Sequence, residues 1–268
     1  MHDRRHDEVV QDDGCATPLA GVAHPSPSPA GPAPGRPMLL RALLPPGARA
    51  VEVDGDVEAA GEGAAPVELA AVAAARPERR AEFLTGRWCA REALRALGLP
   101  AAPVPPGVRR APVWPAGVVG SITHCAGYRA AVVAHRRDVV ALGVDATPHE
   151  PLPERVLAAV ADPDEREHLA ELAPLLPGVH ADRALFSAKE SLIKAWSALD
   201  PDWAGFSAFR VRLDAQGAFS AHGPRGALLA GRWGVAAGLL GTAVVVPAVP
   251  AVPAARTRPA RVSAPPRG

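Results

Sequence analysis

Asparagine is absent from this chain, isoleucine occurs only at Ile122 and Ile193, and lysine only at Lys189 and Lys194. Arginine supplies nearly every other basic group, a bias that reads as mutational pressure on composition. Arginine is a planar, permanently charged fork, whereas lysine is a compact point charge able to give up a proton, so a site that needs the second cannot use the first. Two lysines that survive such pressure in one short segment, Phe186-Ser-Ala-Lys-Glu-Ser-Leu-Ile-Lys194, mark it as a place to look for chemistry.

Cysteine is scarce as well. Cys15, Cys89 and Cys125 are far apart, form no CxxC spacing and leave an odd thiol. That excludes a disulfide framework or zinc site and fits a reducing compartment. Neither charge dominates: 29 basic and 28 acidic residues leave a net charge of +1, with no basic run to track a nucleic acid. The polar, acidic start from Met1 to Glu8 lacks the basic-then-apolar order of a secretory signal, so a cytoplasmic location is expected. The one long apolar run, Gly234 to about Val252, is broken by glycines, Pro247 and Pro250 and contains the β-branched Thr242-Ala-Val-Val-Val246. It reads as a strand rather than a membrane span.

What is present is 48% hydrophobic residues, enough to bury the core of one large domain or two small ones. Residues 1–37 are a Pro/Ser-rich stretch expected to be a disordered leader, and residues 254–268 a similar Pro/Arg tail. Between them, Met38 to Leu44 and Ala50 to Val53 read as strands, and Glu78 to Leu97 as a helix closed by Gly98. Val118 to Thr123, Arg129 to Ala134 and Val139 to Val144 are three β-rich runs parted by turns, an expected antiparallel meander. Helices are expected near Glu154 to Val160, near Asp164 to Leu172 and through the lysine segment, and strands at Phe206 to Leu213, Ala218 to Ala221 and Gly241 to Val246. Helix and sheet in each half give an α+β fold of two packed subdomains, 38–146 and 147–253.

In the lysine helix, Leu185, Ala188, Leu192, Ala195, Trp196 and Leu199 recur at the spacing of a buried face, while Arg183, Ser187, Glu190, Lys194 and Ser197 share the other side. Spacing alone favours a solvated Glu190–Lys194 ion pair, so other segments must carry the functional reading. Arg87, Arg91 and Arg95 form one stripe of the first long helix, and a polyphosphate ligand or the nearby Glu82 and Glu92 would relieve their repulsion. Arg109 and Arg110 precede the stiff Pro112-Val-Trp-Pro115. His124 stands where a strand yields to a turn; its neighbour Cys125 points the other way in extended chain, so the two cannot act as a nucleophile–base pair. Asp145 ends an apolar strand beside Gly143. Carboxylates at a strand end and on a helix can hold Mg²⁺ together with substrate phosphates, and Asp145 and Glu190 are the candidates.

Taken together, Gly86-Arg-Trp-Cys-Ala-Arg91, Arg110 through Val119-Gly-Ser-Ile-Thr-His-Cys125, Gly143-Val-Asp-Ala146 and Phe186 to Lys194 resemble the 4′-phosphopantetheinyl transferases, in particular the monomeric two-subdomain type and its enterobactin-synthase subgroup. The resemblance covers about residues 38 to 248. It implies a pseudo-twofold α+β fold with coenzyme A and Mg²⁺ in the cleft between the halves. It also implies transfer of the phosphopantetheine arm to a serine of an acyl or peptidyl carrier protein, with release of 3′,5′-ADP. By the same resemblance Asp145 and Glu190 bind metal, and Lys194 meets the pyrophosphate. Glu190 accepts the serine proton, and Ser121, Thr123, His124, Arg87, Arg91 and Arg110 surround the nucleotide. One departure stands out. Many relatives have a third carboxylate two residues after the metal aspartate, and this chain has Thr147 there, which leaves its hydroxyl or water to complete the coordination. The rival classes are a non-catalytic protein that binds coenzyme A or a carrier protein, and a magnesium-dependent nucleotide hydrolase.

Overall fold

The computed structural model describes residues 38–200 and 205–248. The expected leader and tail lie outside the described residues. The first half contains β1 (Arg49–Asp54), α1 (Pro66–Ala71), α2 (Pro77–Ala96), β2 (Val118–Cys125) and β3 (Tyr128–His135). The second contains β4 (Val139–Pro148), α3 (Glu154–Val160), α4 (Pro163–Leu172), α5 (Ala181–Trp196), β5 (Arg210–Leu213), β6 (Ala218–His222), β7 (Leu228–Ala236) and β8 (Leu239–Pro247). The strands form two antiparallel sheets, ordered β1-β3-β2 and β4-β8-β7-β6-β5, each crossed by one long helix.

The periodicity of each long helix explains its place. Pro77 opens α2, where a missing N–H costs nothing, and Gly98 just past its end takes a φ of +83° that other residues resist. Its Cys89, Ala90, Ala93 and Leu94 pack on Val118, Ala131 and Val133 of the first sheet. Across the second sheet, Leu185, Ala188, Leu192 and Ala195 of α5 meet Val211, Phe219, Leu240 and Val244. The α+β expectation holds, with unequal halves of three and five strands.

Three expectations need correction. Met38 to Leu44 is not a strand: it is a turn with a short 3-10 segment at Arg41–Leu43, because the Glu52 carboxylate accepts the Leu40 and Arg41 N–H groups and occupies the donors a ladder would need. The meander ends after two strands. β4 leaves it to pair with β8, so the subdomain boundary expected between residues 146 and 147 falls inside a strand of the second sheet. Besides a shared apolar core, a side-chain substitute for a ladder joins the halves: Ser121 Oγ accepts the Val144 N–H at 3.1 Å and Thr123 Oγ1 the Ala146 N–H at 3.1 Å. The common offset shows that the edge strands β2 and β4 run parallel. Finally, β7 has no counterpart in the sequence reading, since Gly231 and Gly234 weaken its pattern, and β5 starts at Arg210 after a 3-10 turn at Phe206–Ala208. The apolar run after Gly234 enters the β7–β8 hairpin, and no helix among the described residues is long and apolar enough to cross a membrane.

Candidate active site

Gly143 sets the site. A β-carbon there would stand 2.0 Å from the Ser191 carbonyl oxygen and 2.6 Å from the Ala195 nitrogen, so only glycine lets α5 lie this close to β4. Two residues on, Asp145 is 2% exposed and points at the helix. Its Oδ1 accepts from Lys194 Nζ at 2.8 Å and from Thr123 Oγ1 at 3.3 Å, and its Oδ2 accepts from Ser187 Oγ at 2.7 Å. Lys194 also donates to the Val144 carbonyl at 3.1 Å.

The helical face expected to carry Glu190 and Lys194 is therefore turned toward β4, and the solvated-pair alternative is excluded. Lys194 keeps 27% of its side-chain surface, enough to meet a ligand. Burial works against its charge, but Asp145 and Glu190 outweigh burial and hold its pKa above the ordinary value. Glu190 is half-buried. Loss of solvent and the nearby Asp145 carboxylate push its pKa up to about 7, with Lys194 opposing. Two carboxylates and one ammonium so lie within electrostatic reach of one another where α5 packs on β4. Thr147 follows Asp145 on the same face of β4 and is buried, with 8% exposure. No group of three or more His, Cys, Asp or Glu converges among the described residues.

Lys189 does something else. Only 1% exposed, its ammonium donates to Glu165 Oε2 at 2.7 Å and to the carbonyls of Val160 at 2.6 Å and Phe206 at 3.3 Å. Glu165 in turn accepts the N–H groups of Asp162 and Val211. Lysine is retained there for a buried framework ion pair, so scarcity flagged both lysines while only Lys194 reaches the site.

The arginines of α2 divide in the same way. Arg91 is consumed inside the first half, donating to the fully buried Glu68 at 3.1 Å and to the Ala60 carbonyl at 3.0 Å. Arg95 pairs with Glu92. Arg87 donates to the Val104 carbonyl at 2.7 Å and lies over the Phe83 ring, and burial lowers its pKa to about 10, opposed by Glu68 and reinforced by the charges of Arg79 and Arg110. Arg79 was missed by the sequence reading, although it lies two turns before Arg87 on the same helix. It donates to His124 Nε2 at 3.0 Å, and His124 Nδ1 faces Glu82 at 3.8 Å. Arg79, Arg87, Arg110 and His124 thus make one basic neighbourhood. Arg109 and Arg110 both have positive φ, 52° and 62°, a costly conformation that fixes how the loop presents them. Ser121 and Thr123 stand apart from this group, since both are buried and their hydroxyls are taken by β4. Cys125 is buried and shares no face with His124.

Models of the 4′-phosphopantetheinyl transferase N-terminal domain and of the 4′-phosphopantetheinyl transferase superfamily match residues 67–134 and 141–237, parting where β3 gives way to β4. The chain is 50% identical over 193 residues to 4′-phosphopantetheinyl transferase Svp of Streptomyces mobaraensis, covering 68% of this chain and 78% of that protein. To 4′-phosphopantetheinyl transferase PptT of Mycobacterium tuberculosis it is 42% identical over 195 residues, covering 68% and 85%. Enterobactin synthase component D of Salmonella typhimurium is 38% identical over 120 residues, 45% of this chain and 49% of its own length. With two-domain coverage and identities of this size, the chain belongs to the 4′-phosphopantetheinyl transferase superfamily and is a transferase of that kind.

Proposed function

We propose that the chain moves the 4′-phosphopantetheine arm of coenzyme A onto a serine hydroxyl of an acyl or peptidyl carrier protein, releasing 3′,5′-ADP in a Mg²⁺-dependent reaction. The observation that carries this reading is the convergence of Asp145, Glu190 and Lys194 where α5 packs on β4. The donor set fits Mg²⁺, which takes one or two carboxylates and completes its shell with phosphate oxygens and water. Asp145 and Glu190 would hold the ion, with the Thr147 hydroxyl beside them. When bound, it supplies charge stabilisation on the pyrophosphate oxygens.

The remaining roles follow from the side chains. Lys194 stays protonated and brings an ammonium to the pyrophosphate, where charge builds as the bond to the leaving nucleotide lengthens. Glu190, beside Asp145 and Lys194, would accept the serine proton as the hydroxyl oxygen attacks the phosphorus. Arg79, Arg87, Arg110 and His124 hold the 3′-phosphate of coenzyme A through charge-assisted bonds. Arg91 supports that region from within through Glu68.

A carrier protein in siderophore, polyketide or nonribosomal peptide biosynthesis is the proposed acceptor, with the transferase acting as a cytoplasmic monomer. The deciding experiment incubates the purified chain with coenzyme A, Mg²⁺ and an apo peptidyl carrier and weighs the carrier intact. Gain of one phosphopantetheine supports the proposal. Coenzyme A binding without gain of mass points to the non-catalytic class, and cleavage of coenzyme A with an unmodified carrier points to the hydrolase.

A further inference from the structure

Asp145 is gripped by hydroxyls from β2 and α5, with a third hydroxyl on β8 behind the α5 serine. Thr123 on β2 donates to Oδ1 at 3.3 Å, and Ser187 on α5 donates to Oδ2 at 2.7 Å. Thr242, the cross-strand partner of Asp145 on β8, donates to the Ser187 carbonyl at 2.8 Å and sets its own oxygen 3.1 Å from Ser187 Oγ. All three are buried, Ser187 and Thr242 completely and Thr123 to 2% exposure.

Ser187 departs from what a helical serine ordinarily does. Such a hydroxyl bonds back to a carbonyl of its own helix. Ser191 donates to the Ala188 carbonyl and Ser197 to that of Lys194, each within the local chain. Ser187 reaches out of the helix to the carboxylate instead. Thr123 makes a second connection of the same sort, since it accepts the Ala146 N–H while donating to Asp145, and the next residue along β2 is His124 of the basic neighbourhood.

We propose that Ser187, Thr242 and Thr123 are positioning residues that fix the orientation of the Asp145 carboxylate, and that Thr123 ties the half holding the nucleotide to the carboxylate that holds the metal. This rests on the function proposed above. An aspartate's terminal torsion is broad, so an ungripped carboxylate would sweep through orientations of which few suit a cation of strict geometry. A donor on each oxygen removes that freedom. The assignment also takes Thr123 out of the set that touches coenzyme A.

The test compares the full chain with Ser187→Ala, Thr123→Val and Thr123→Ser. Mn²⁺ binding is measured directly by electron paramagnetic resonance, coenzyme A binding by metal-free calorimetry, and folding by circular dichroism. Removing the partner of a metal ligand weakens metal affinity by about 10–100-fold. Ser187→Ala and Thr123→Val are expected to lose Mn²⁺ affinity in that range while coenzyme A affinity holds within about twofold. Thr123→Ser, which keeps the hydroxyl, is expected to bind Mn²⁺ like the parent. Parental Mn²⁺ affinity in a folded Ser187→Ala or Thr123→Val chain overturns the inference, as does loss of coenzyme A binding in Thr123→Val with Mn²⁺ binding intact. Should Ser187→Ala not fold, the Thr123→Val and Thr123→Ser pair decides. A parent chain that binds Mn²⁺ but modifies no carrier sinks the transferase proposal and leaves the positioning claim to the affinity ratios. A parent that binds no Mn²⁺ sinks both.

Discussion

Lys194 and Lys189 lie five residues apart on one helix and do unlike work, which mutation can separate. Lys194→Arg keeps the charge but replaces a point-like ammonium, held between Asp145 Oδ1 and the Val144 carbonyl, with a broad fork. Transfer is expected to fall by about 10²-fold or more, the usual cost of losing a donor to developing charge, with the melting temperature little changed. Steady-state rates near those of the parent would show that charge alone suffices. Lys189→Met instead strands the Glu165 carboxylate in the core and should cost about 3–5 kcal/mol of stability. Denaturant melts check this, and adding Glu165→Gln to the same chain should recover much of the loss, because the amide oxygen can still accept from Val211 or Asp162. Glu190 makes a third prediction, from its raised pKa. In the folded chain it holds its proton up to about pH 7, whereas the ordinary value is 4.5. The folded state therefore binds more protons between those values, and this contribution to stability, complete below pH 4.5, is lost as pH climbs through about 7. Thermal melts in metal-free buffer should show the parent losing more stability than Glu190→Gln across that window. Parallel pH dependences in the two chains would refute the assignment.

At the scale of the element, the decisive contact is α5 against β4. The helix has no long side chain to stand it off at Gly143, and the backbone of Ser191 and Ala195 fills the space a methyl would need. Gly143→Ala must push α5 outward or bend β4, and either motion parts Lys194 and Ser187 from Asp145. The expected result is a large loss of stability, within the range of about 1–3 kcal/mol or more for an overpacked core, together with loss of transfer. A thermal melt and a carrier assay settle it. Retention of both would mean that the helix is free to slide.

For the whole molecule, the question is whether two sheets mean two folding units. Leu39, Leu40, Leu43, Val119, Tyr128 and Val132 of the first half share one buried cluster with Val139, Leu142, Val144, Leu239 and Ala243 of the second. The Ser121 and Thr123 hydrogen bonds cross the same boundary. Neither half can keep its apolar surface covered alone, so calorimetry should record one cooperative unfolding transition. Two resolved transitions would show the halves to be independent.

The sequence by itself determined the elements whose patterns are strong and local, α2 between Pro77 and Gly98 and α5 with its apolar stripe, and it singled out Gly143-Val-Asp145 and Glu190 to Lys194 as candidates. Those signals are legible because period, caps and residue type are properties of neighbours in the chain. Only the tertiary structure decided where β4 pairs, since a strand's partner depends on which edge still has open donors and acceptors, and Ser121 and Thr123 had already taken the Val144 and Ala146 N–H groups on the first-half side. Only the fold could separate Lys189 from Lys194, or Arg91 from Arg87 and Arg79, because charge and helical spacing do not say what lies across the packed interface. There a buried Glu165 or Glu68 binds one cation into the framework, while Asp145 and His124 draw others to the site.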